Sequence, residues 1–377
     1  MQIGVPAETA AGETRVAVTP ETAKKLIAQG HVVRVQAGAG IAAAAPDAAY
    51  QAVGAEITDA QGAWGADLVL KVRAPDAQEA TQLRPGAVLV GSLNPFDREG
   101  LQRLADVRVA AFALEAAPRT TRAQSLDILS SQANIAGYKA VIIAANEYQR
   151  FFPMLMTAAG TVKAAKVVIL GVGVAGLQAI ATAKRLGATI EASDVRPSVK
   201  EQVESLGAKF IDVPYETAEE KEAAEGVGGY ARPMPPSWLE RQKVEVAKRV
   251  AAADVVITTA LIPGRAAPTL VTEEMVRSMK PGSVIVDIAA GRGADGISGN
   301  CTLTVADQTV TQHGVRIVGE TNLAALVAAD ASALFARNVL DFLKLILPKD
   351  EGLKIDLEDD IVAACLVARD GQVTRAA

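Results

Sequence analysis

KVVILGVGVAGLQAIATAKRLGATIEASDVR, from Lys166 to Arg196, reads as strand, glycine turn, helix and second strand. Lys166 to Leu170 is a short β-branched run. Gly171, Gly173 and Gly176 then form GxGxxG, and good helix formers continue from Ala175 to Leu186. Gly187 stops the helix, and Ala188 to Ser193 leads to an acid, Asp194. In this pattern the first glycine permits a tight turn, the second lets backbone amides approach a pyrophosphate, and the third lets helix and strand pack closely. The helix N-terminus at Val174 and Ala175 offers unpaired N–H groups and a partial positive charge to phosphates. A carboxylate at Asp194 can accept hydrogen bonds from adenosine ribose hydroxyls and would repel a 2′-phosphate. The unit therefore favours NAD(H) over NADP(H), a preference that the nearby cation of Arg196 weakens. GxGxxG alone is a weak signal. With both strands, the helix and the acid in register, it reads as a dinucleotide site.

The rest of the chain suits such a fold. Its 377 residues correspond to roughly two or three domains. Half are hydrophobic but only 4% are aromatic, so the cores consist mainly of Ala, Val, Leu and Ile, as in α/β proteins with closely packed helices. A formal charge of -5 and the lack of any dense Lys/Arg run argue against nucleic acid as a partner. Cys301 and Cys365 make no metal-ligand pattern and read as buried thiols in a reducing compartment. MQIGVPAE is a strand-like opening rather than a signal peptide. No uninterrupted apolar run reaches the ~18 residues of a spanning helix.

Outward from the fingerprint, the pattern is doubly wound. Strands are expected at Gln2–Val5, His31–Gln36, Leu68–Val72, Ala87–Val90 and Val107–Phe112, with Thr19-Pro20 starting a helix that Gly30 ends. A helix from about Gln124 to Phe151, about 40 Å long, is expected to bridge two domains. After the fingerprint come strands at Lys209–Val213, Val255–Ala260, Ser283–Ala289 and Arg316–Gly319. The domains expected are 1–126 with 323–377, and 127–322. Between Pro214 and Trp238 the alternation breaks into a long loop carrying Tyr230 and Met234, read as a mobile lid. Ser237 with Glu240 reads as a capping box behind it. A helix over Asn322–Leu347 returns the chain to the first domain, and Ile361–Ala368 is a possible edge strand.

Common catalytic constellations are scarce. His31 starts a strand and His313 precedes one, so both read as packing or turn residues. With no histidine beside a nucleophile or metal partner, acid–base chemistry has little to work with. Hydride passage from one nicotinamide to another needs no proton donor; it needs alignment and a dry gap. The densest polar cluster is PRTTRAQSLDILSSQAN, Pro118 to Asn134. It holds Arg119, Gln124, Asp127 and Ser130, the last two on one face if helical. Binding and ordinary helix capping account for it equally well. Arg15 and Lys71 could each hold an anion, although each alone reads better as a surface charge.

These stretches carry a family resemblance over nearly the whole chain. TRVAVTPE, LKVRAP around Lys71, RAQSLDILSSQANIAGYKAV, MTAAGTV, the fingerprint with DVR, GGYA, TTALIPGRAAP and VAADAS resemble the alanine dehydrogenase/pyridine-nucleotide transhydrogenase family, on its transhydrogenase side. The resemblance implies two Rossmann-like doubly wound α/β domains joined by long helices, with NAD(H) in the cleft between them. It implies that Arg119 and Gln124 face the nicotinamide ribose region, that Asp127 and Ser130 hold the carboxamide, and that Tyr230 belongs to a loop closing over the nucleotide. Gly171, Gly173, Val174, Ala175, Gly176, Asp194, Val195 and Arg196 match the adenosine-phosphate half. The implied partners are a membrane-embedded proton-channel subunit, an NADP(H)-binding subunit and a second copy of the chain, placing it on the inner face of the cell membrane.

Two departures bear on the alternative of a free-standing alanine-type dehydrogenase. LVGSLNPF, with Ser92 and Asn94, lacks the catalytic histidine that alanine dehydrogenases place there, and Ala290-Gly291-Arg292 stands where their aspartate is expected. GRGADGISGN departs from the transhydrogenase pattern too, and that loop is assigned no role. A non-catalytic NAD sensor is the remaining alternative.

Overall fold

A computed structural model describes residues 1–196, 199–225, 234–348 and 352–374. The chain divides into two compact units, residues 1–132 with 324–377, and residues 133–323. Strands β1 (Gln2–Val5), β2 (Val32–Gln36), β3 (Glu56–Thr58), β4 (Leu68–Arg73), β5 (Val88–Ser92) and β6 (Ala110–Ala113) come first. An exposed hairpin, β7 (Leu155–Thr157) and β8 (Gly160–Val162), is followed by β9 (Lys166–Leu170), β10 (Thr189–Ser193) and β11 (Lys209–Phe210). Then come β12 (Val255–Thr258), β13 (Val284–Asp287), β14 (Thr309–Gln312) and β15 (Val315–Val318), and finally β16 (Leu366–Arg369) and β17 (Gln372–Val373).

In the first unit the sheet order is β3-β2-β1-β4-β5-β6, all parallel, extended by antiparallel β16 and β17. This is the strand order of doubly wound nucleotide-binding folds. Alternation divides β4 between two cores. Leu68, Leu70 and Val72 join one with the helix Ala328–Ile346, where Phe342 meets Phe112 at 5.3 Å, while Val69 joins the other with Trp64 and Leu89.

The second unit repeats the plan, with parallel strands in the order β11-β10-β9-β12-β13-β15 and β14 antiparallel at the edge. Val167 and Ile169 pack on the helix Val174–Arg185; Val168 and Leu170 face the helix Pro236–Ala252. Among the described residues no helix is long and apolar enough to cross a membrane.

Several expected elements take another form. The long helix begins at Ile128 and ends at Glu147, about 30 Å. A 3-10 turn over Thr121–Leu126 precedes it, and the break falls at Asp127. The boundary between the units lies within this helix, after Gln132. Part of the expected lid is helical, Ala218–Glu225; residues 226–233, Tyr230 included, lie outside the described residues. There is no capping box at Ser237. The helix starts two residues earlier than that box requires, on Pro236, which lacks the N–H a first-turn residue leaves unused, and the Ser237 hydroxyl donates to Glu220 at 2.9 Å. Ile361–Ala368 is not one strand: Asp359 caps a short helix, Asp360–Cys365, before β16 starts.

Candidate nucleotide-binding site

The glycine turn joins β9 to the helix Val174–Arg185, and its three glycines meet different surroundings. Gly171 has φ +93°, and a Cβ there would lie 2.7 Å from the Thr259 Oγ1. A Cβ on Gly176 would lie 2.1 Å from the Gly171 carbonyl oxygen, closer than atoms can pack. Both glycines are required by the protein itself. At Gly173, the N-cap, φ is -80° and a Cβ would meet nothing within 4 Å among the described residues. Nothing among the described residues demands a glycine at that position. The clear space lies beside the first-turn N–H groups of Val174 and Ala175, which an α-helix leaves without intrahelical partners. A pyrophosphate fits this arrangement: an anion needs those donors and needs the space that a side chain would fill.

Thr259, just past β12, donates its hydroxyl to the Gly171 carbonyl at 2.8 Å, so the neighbouring strand end braces the turn. That strand end is itself held. Asn300, fully buried, accepts from the Ala260 N–H at 2.9 Å and donates to the carbonyls of Ala260 and Pro268 at 2.9 and 2.8 Å. Asp287 accepts from the Thr258 and Thr304 hydroxyls and the Ala289 and Cys301 N–H groups. The loop GRGADGISGN thus ends in the support of the turn, through Asn300, a role that local sequence gave no sign of.

Asp194 follows β10 directly and reaches back to the turn. One oxygen accepts from the Val172 N–H at 2.7 Å and from Arg196 Nη2 at 2.9 Å; the other accepts from the Arg196 N–H and Nε, both at 2.9 Å. Four donors fill the roughly four lone-pair sites of a carboxylate. Any further donor to Asp194 would have to displace one of these, and the guanidinium offsets the negative charge of the carboxylate. Val195, between them, packs on a small cluster of Val213, Met234 and Trp238.

In the first unit Arg119 and Gln124 are exposed and Asp127 and Ser130 half-buried. Asp127 caps the helix: its Oδ1 accepts from the Ser130 N–H at 2.9 Å and its Oδ2 from the Ser130 hydroxyl at 2.5 Å. Capping and binding are compatible here, because the cap fixes the carboxylate and the hydroxyl side by side at the helix start.

The reading of Arg15 and Lys71 as surface charges is corrected, since both are buried, 7% and 1% exposed. Lys71 Nζ lies 2.9 Å from Glu79, 3.4 Å from Glu8 and 5.0 Å from the centre of the Trp64 ring. Arg15 forks onto Glu13 at 2.7 and 2.6 Å and donates to Gln132 at 2.8 Å. Glu13 also accepts from Arg73 at 2.8 Å. Burial would raise the Glu13 carboxyl, but Arg15, and then Arg73, hold it down to about 2. Glu8 accepts from the N–H groups of Val72 and Arg73 and is nonetheless raised, because burial outweighs Lys71 and those donors. Sequence reasoning missed these glutamates, which lie 64 and 65 residues from Val72 and Arg73 in the case of Glu8. Ser92 and Asn94, in the stretch that lacks the histidine of alanine dehydrogenases, gather on a half-buried carboxylate: Glu115 accepts from the Ser92 hydroxyl at 3.0 Å and the Asn94 N–H at 2.6 Å. His313 occupies a hairpin turn with Gly314, φ 52° and 79°, between β14 and β15, and pairs with Glu273 at 3.0 Å.

The two units are thus doubly wound α/β domains, and the second carries a turn of the kind that binds dinucleotides. Comparison with known proteins agrees. The N-terminal domain of the family Alanine dehydrogenase/PNT matches residues 4–136, and its C-terminal domain matches residues 140–376. The chain belongs to the alanine dehydrogenase/PNT family. It is 50% identical over 386 residues to an NAD(P) transhydrogenase subunit alpha chain of Rhodospirillum rubrum, covering 100% of this chain and 98% of that one. It is 32% identical over 381 residues to the alanine dehydrogenase of Bacillus subtilis, covering 99% and 93%. The crystal structure of transhydrogenase from Sinorhizobium meliloti superposes with a TM-score of 0.85 at 45% identity, covering 99% of this chain and 98% of that one.

Proposed function

We propose that this chain is the NAD(H)-binding component of a proton-translocating NAD(P) transhydrogenase. The observation that carries NAD(H) binding is the clear space over Gly173 beside the helix N-terminus, with Asp194 tied to the same turn. The identity to a transhydrogenase subunit over the whole chain supports the rest. In this reading the fingerprint turn takes the adenosine diphosphate end of the nucleotide. Arg119 and Gln124 take the nicotinamide ribose region, Asp127 and Ser130 the carboxamide, and Tyr230 closes over the bound nucleotide. Hydride leaves C4 of the NADH nicotinamide with its electron pair and forms a C–H bond on the nicotinamide of NADP+ held by a partner subunit. NADH is oxidised and NADP+ reduced, with no proton exchanged. A membrane subunit couples the exchange to proton translocation, and the chain acts as a homodimer held at the membrane face by its partners.

The first unit supports this reading over an amino-acid dehydrogenase. Arg15 and Lys71, the cations that would grip a keto acid, already face Glu13, Glu79 and Glu8. The test is reconstitution with the cognate membrane and NADP(H)-binding subunits, following NADPH-driven reduction of the acetylpyridine analogue of NAD by absorbance. Activity that requires this chain and its partners, and slows when Gln124 or Asp127 is replaced, supports the proposal. NADH binding without transfer to a competent partner sinks it and leaves a sensor. Oxidation of NADH by the isolated chain with pyruvate and ammonia would show a dehydrogenase.

A further inference from the structure

We propose that Asn338 is a positioning residue that sets Gln124 and Asp127 relative to one another at the nicotinamide end, an inference that rests on the roles just assigned to them. Asn338 lies in the helix Ala328–Ile346 and is 9% exposed. Its amide is used at both ends. Nδ2 donates to the Ser125 carbonyl at 2.8 Å, and Oδ1 accepts from the Ser131 hydroxyl at 2.7 Å, groups 213 and 207 residues away along the chain. Ser125 belongs to the 3-10 turn that carries Gln124, and Ser131 to the first turn of the helix that Asp127 caps. One buried amide therefore spans the break at Asp127, where the backbone leaves the helical range at φ -73° and ψ 92°.

The geometry needs this side-chain type. Asparagine is a poor helix former, and a buried amide costs stability unless both its ends are satisfied. Leucine would take the donor from the Ser125 carbonyl and leave the Ser131 hydroxyl only the longer bond to the Ile128 carbonyl, at 3.2 Å; aspartate would set an acceptor against the Ser125 carbonyl. The ends of the stretch are tied separately. Arg122 forks onto Asp359 at 2.6 and 2.8 Å and also reaches Asp360, while Gln132 donates to the Ala331 carbonyl at 3.1 Å. Losing the Asn338 amide thus frees the middle of the stretch, where Gln124 and Asp127 sit, with its ends held.

Paired ligand titrations test this on the full chain. NADH carries the nicotinamide and its ribose and ADP carries neither, so the ratio of their affinities reads the nicotinamide end alone, whereas general damage to the fold moves both. Asn338→Leu and Asn338→Asp are expected to weaken NADH about tenfold, the equivalent of one satisfied hydrogen bond lost, with ADP changed by less than about twofold. Ser131→Ala, a milder change that removes one of the two contacts, is expected to weaken NADH about threefold with the melting transition still cooperative. Equal loss of both ligands, or unchanged NADH affinity in a cooperatively melting variant, overturns the proposal. Gln124→Ala is the control for the underlying reading: if it leaves the ratio unmoved, the assignment of the cluster to the nicotinamide end has failed, whatever Asn338 does.

Discussion

The two sheets share one strand order and use the space after their first strand in opposite ways. After β9 the chain makes a glycine turn, braced from the end of β12 by Thr259 and clear above Gly173. After β1 the chain places Glu8, which takes the N–H groups of Val72 and Arg73 at the end of β4, the strand beside β1. Among the described residues, one unit leaves clear the space over its glycine turn. The other fills its strand ends with carboxylates of its own and neutralises these with Lys71, Arg15 and Arg73. A doubly wound sheet is thus not in itself a nucleotide site; the residues after its first strand decide.

The contrast between the units should show most strongly at Gly176. With 2.1 Å to the Gly171 carbonyl oxygen, Gly176→Ala must displace backbone, and NADH binding is expected to vanish with a clear loss of melting temperature in the same sample. In the filled unit the large effect is on stability alone. Lys71→Ala leaves Glu8 and Glu79 buried without their cation, which costs roughly 3–5 kcal/mol. Denaturant unfolding should show that loss, while the molecules still folded keep their ADP-ribose affinity; a selective loss of ligand would mean that Lys71 belongs to a binding site.

Acid should act on the same unit. The Glu13 carboxyl stands at about 2 when folded and near 4.5 when unfolded. Its contribution, about 3 kcal/mol by linkage, is complete above pH 4.5 and is lost as pH falls toward 2. Glu13→Gln should flatten the stability profile over that window and change nothing in the slope near neutrality. The smallest effect concerns specificity. Arg196→Ala frees two side-chain donor contacts on Asp194 and exposes its charge. Discrimination against NADPH is expected to rise several-fold, read as the ratio of the two dissociation constants; a fall would mean that Arg196 itself holds the ribose.

Much of this was legible in the sequence where the signal is local. β9, the helix after it and β10 follow from β-branched runs, helix formers and a stopping glycine, all within about thirty residues, and β12, β13 and β15 from short apolar runs between polar loops. β3, three residues long, was too short to stand out. Ile361–Ala368 misled because a helix and a strand adjoin there without a polar break, although the Asp359 cap before them was a usable sign. Glu8 on Val72 and Arg73, Glu13 on Arg73, and the amides of Asn300 and Asn338 act across long separations. Nothing near them in the chain shows which carbonyl, N–H or cation they will meet. Asp194 was visible as an acid at a strand end, yet its engagement by Arg196 depends on side-chain geometry that spacing does not contain.

If the space over Gly173 belongs to a bound dinucleotide rather than to the fold, Gly173→Ala should separate binding from stability. The experiment pairs NADH and ADP-ribose titrations with thermal melts on the same preparations. The melting temperature should stay close to that of the unaltered chain, because the added methyl meets nothing within 4 Å among the described residues. Both ligands should weaken by about tenfold or more, because the methyl enters the space beside the helix N-terminus. Unchanged affinity for both would show that no dinucleotide uses that space.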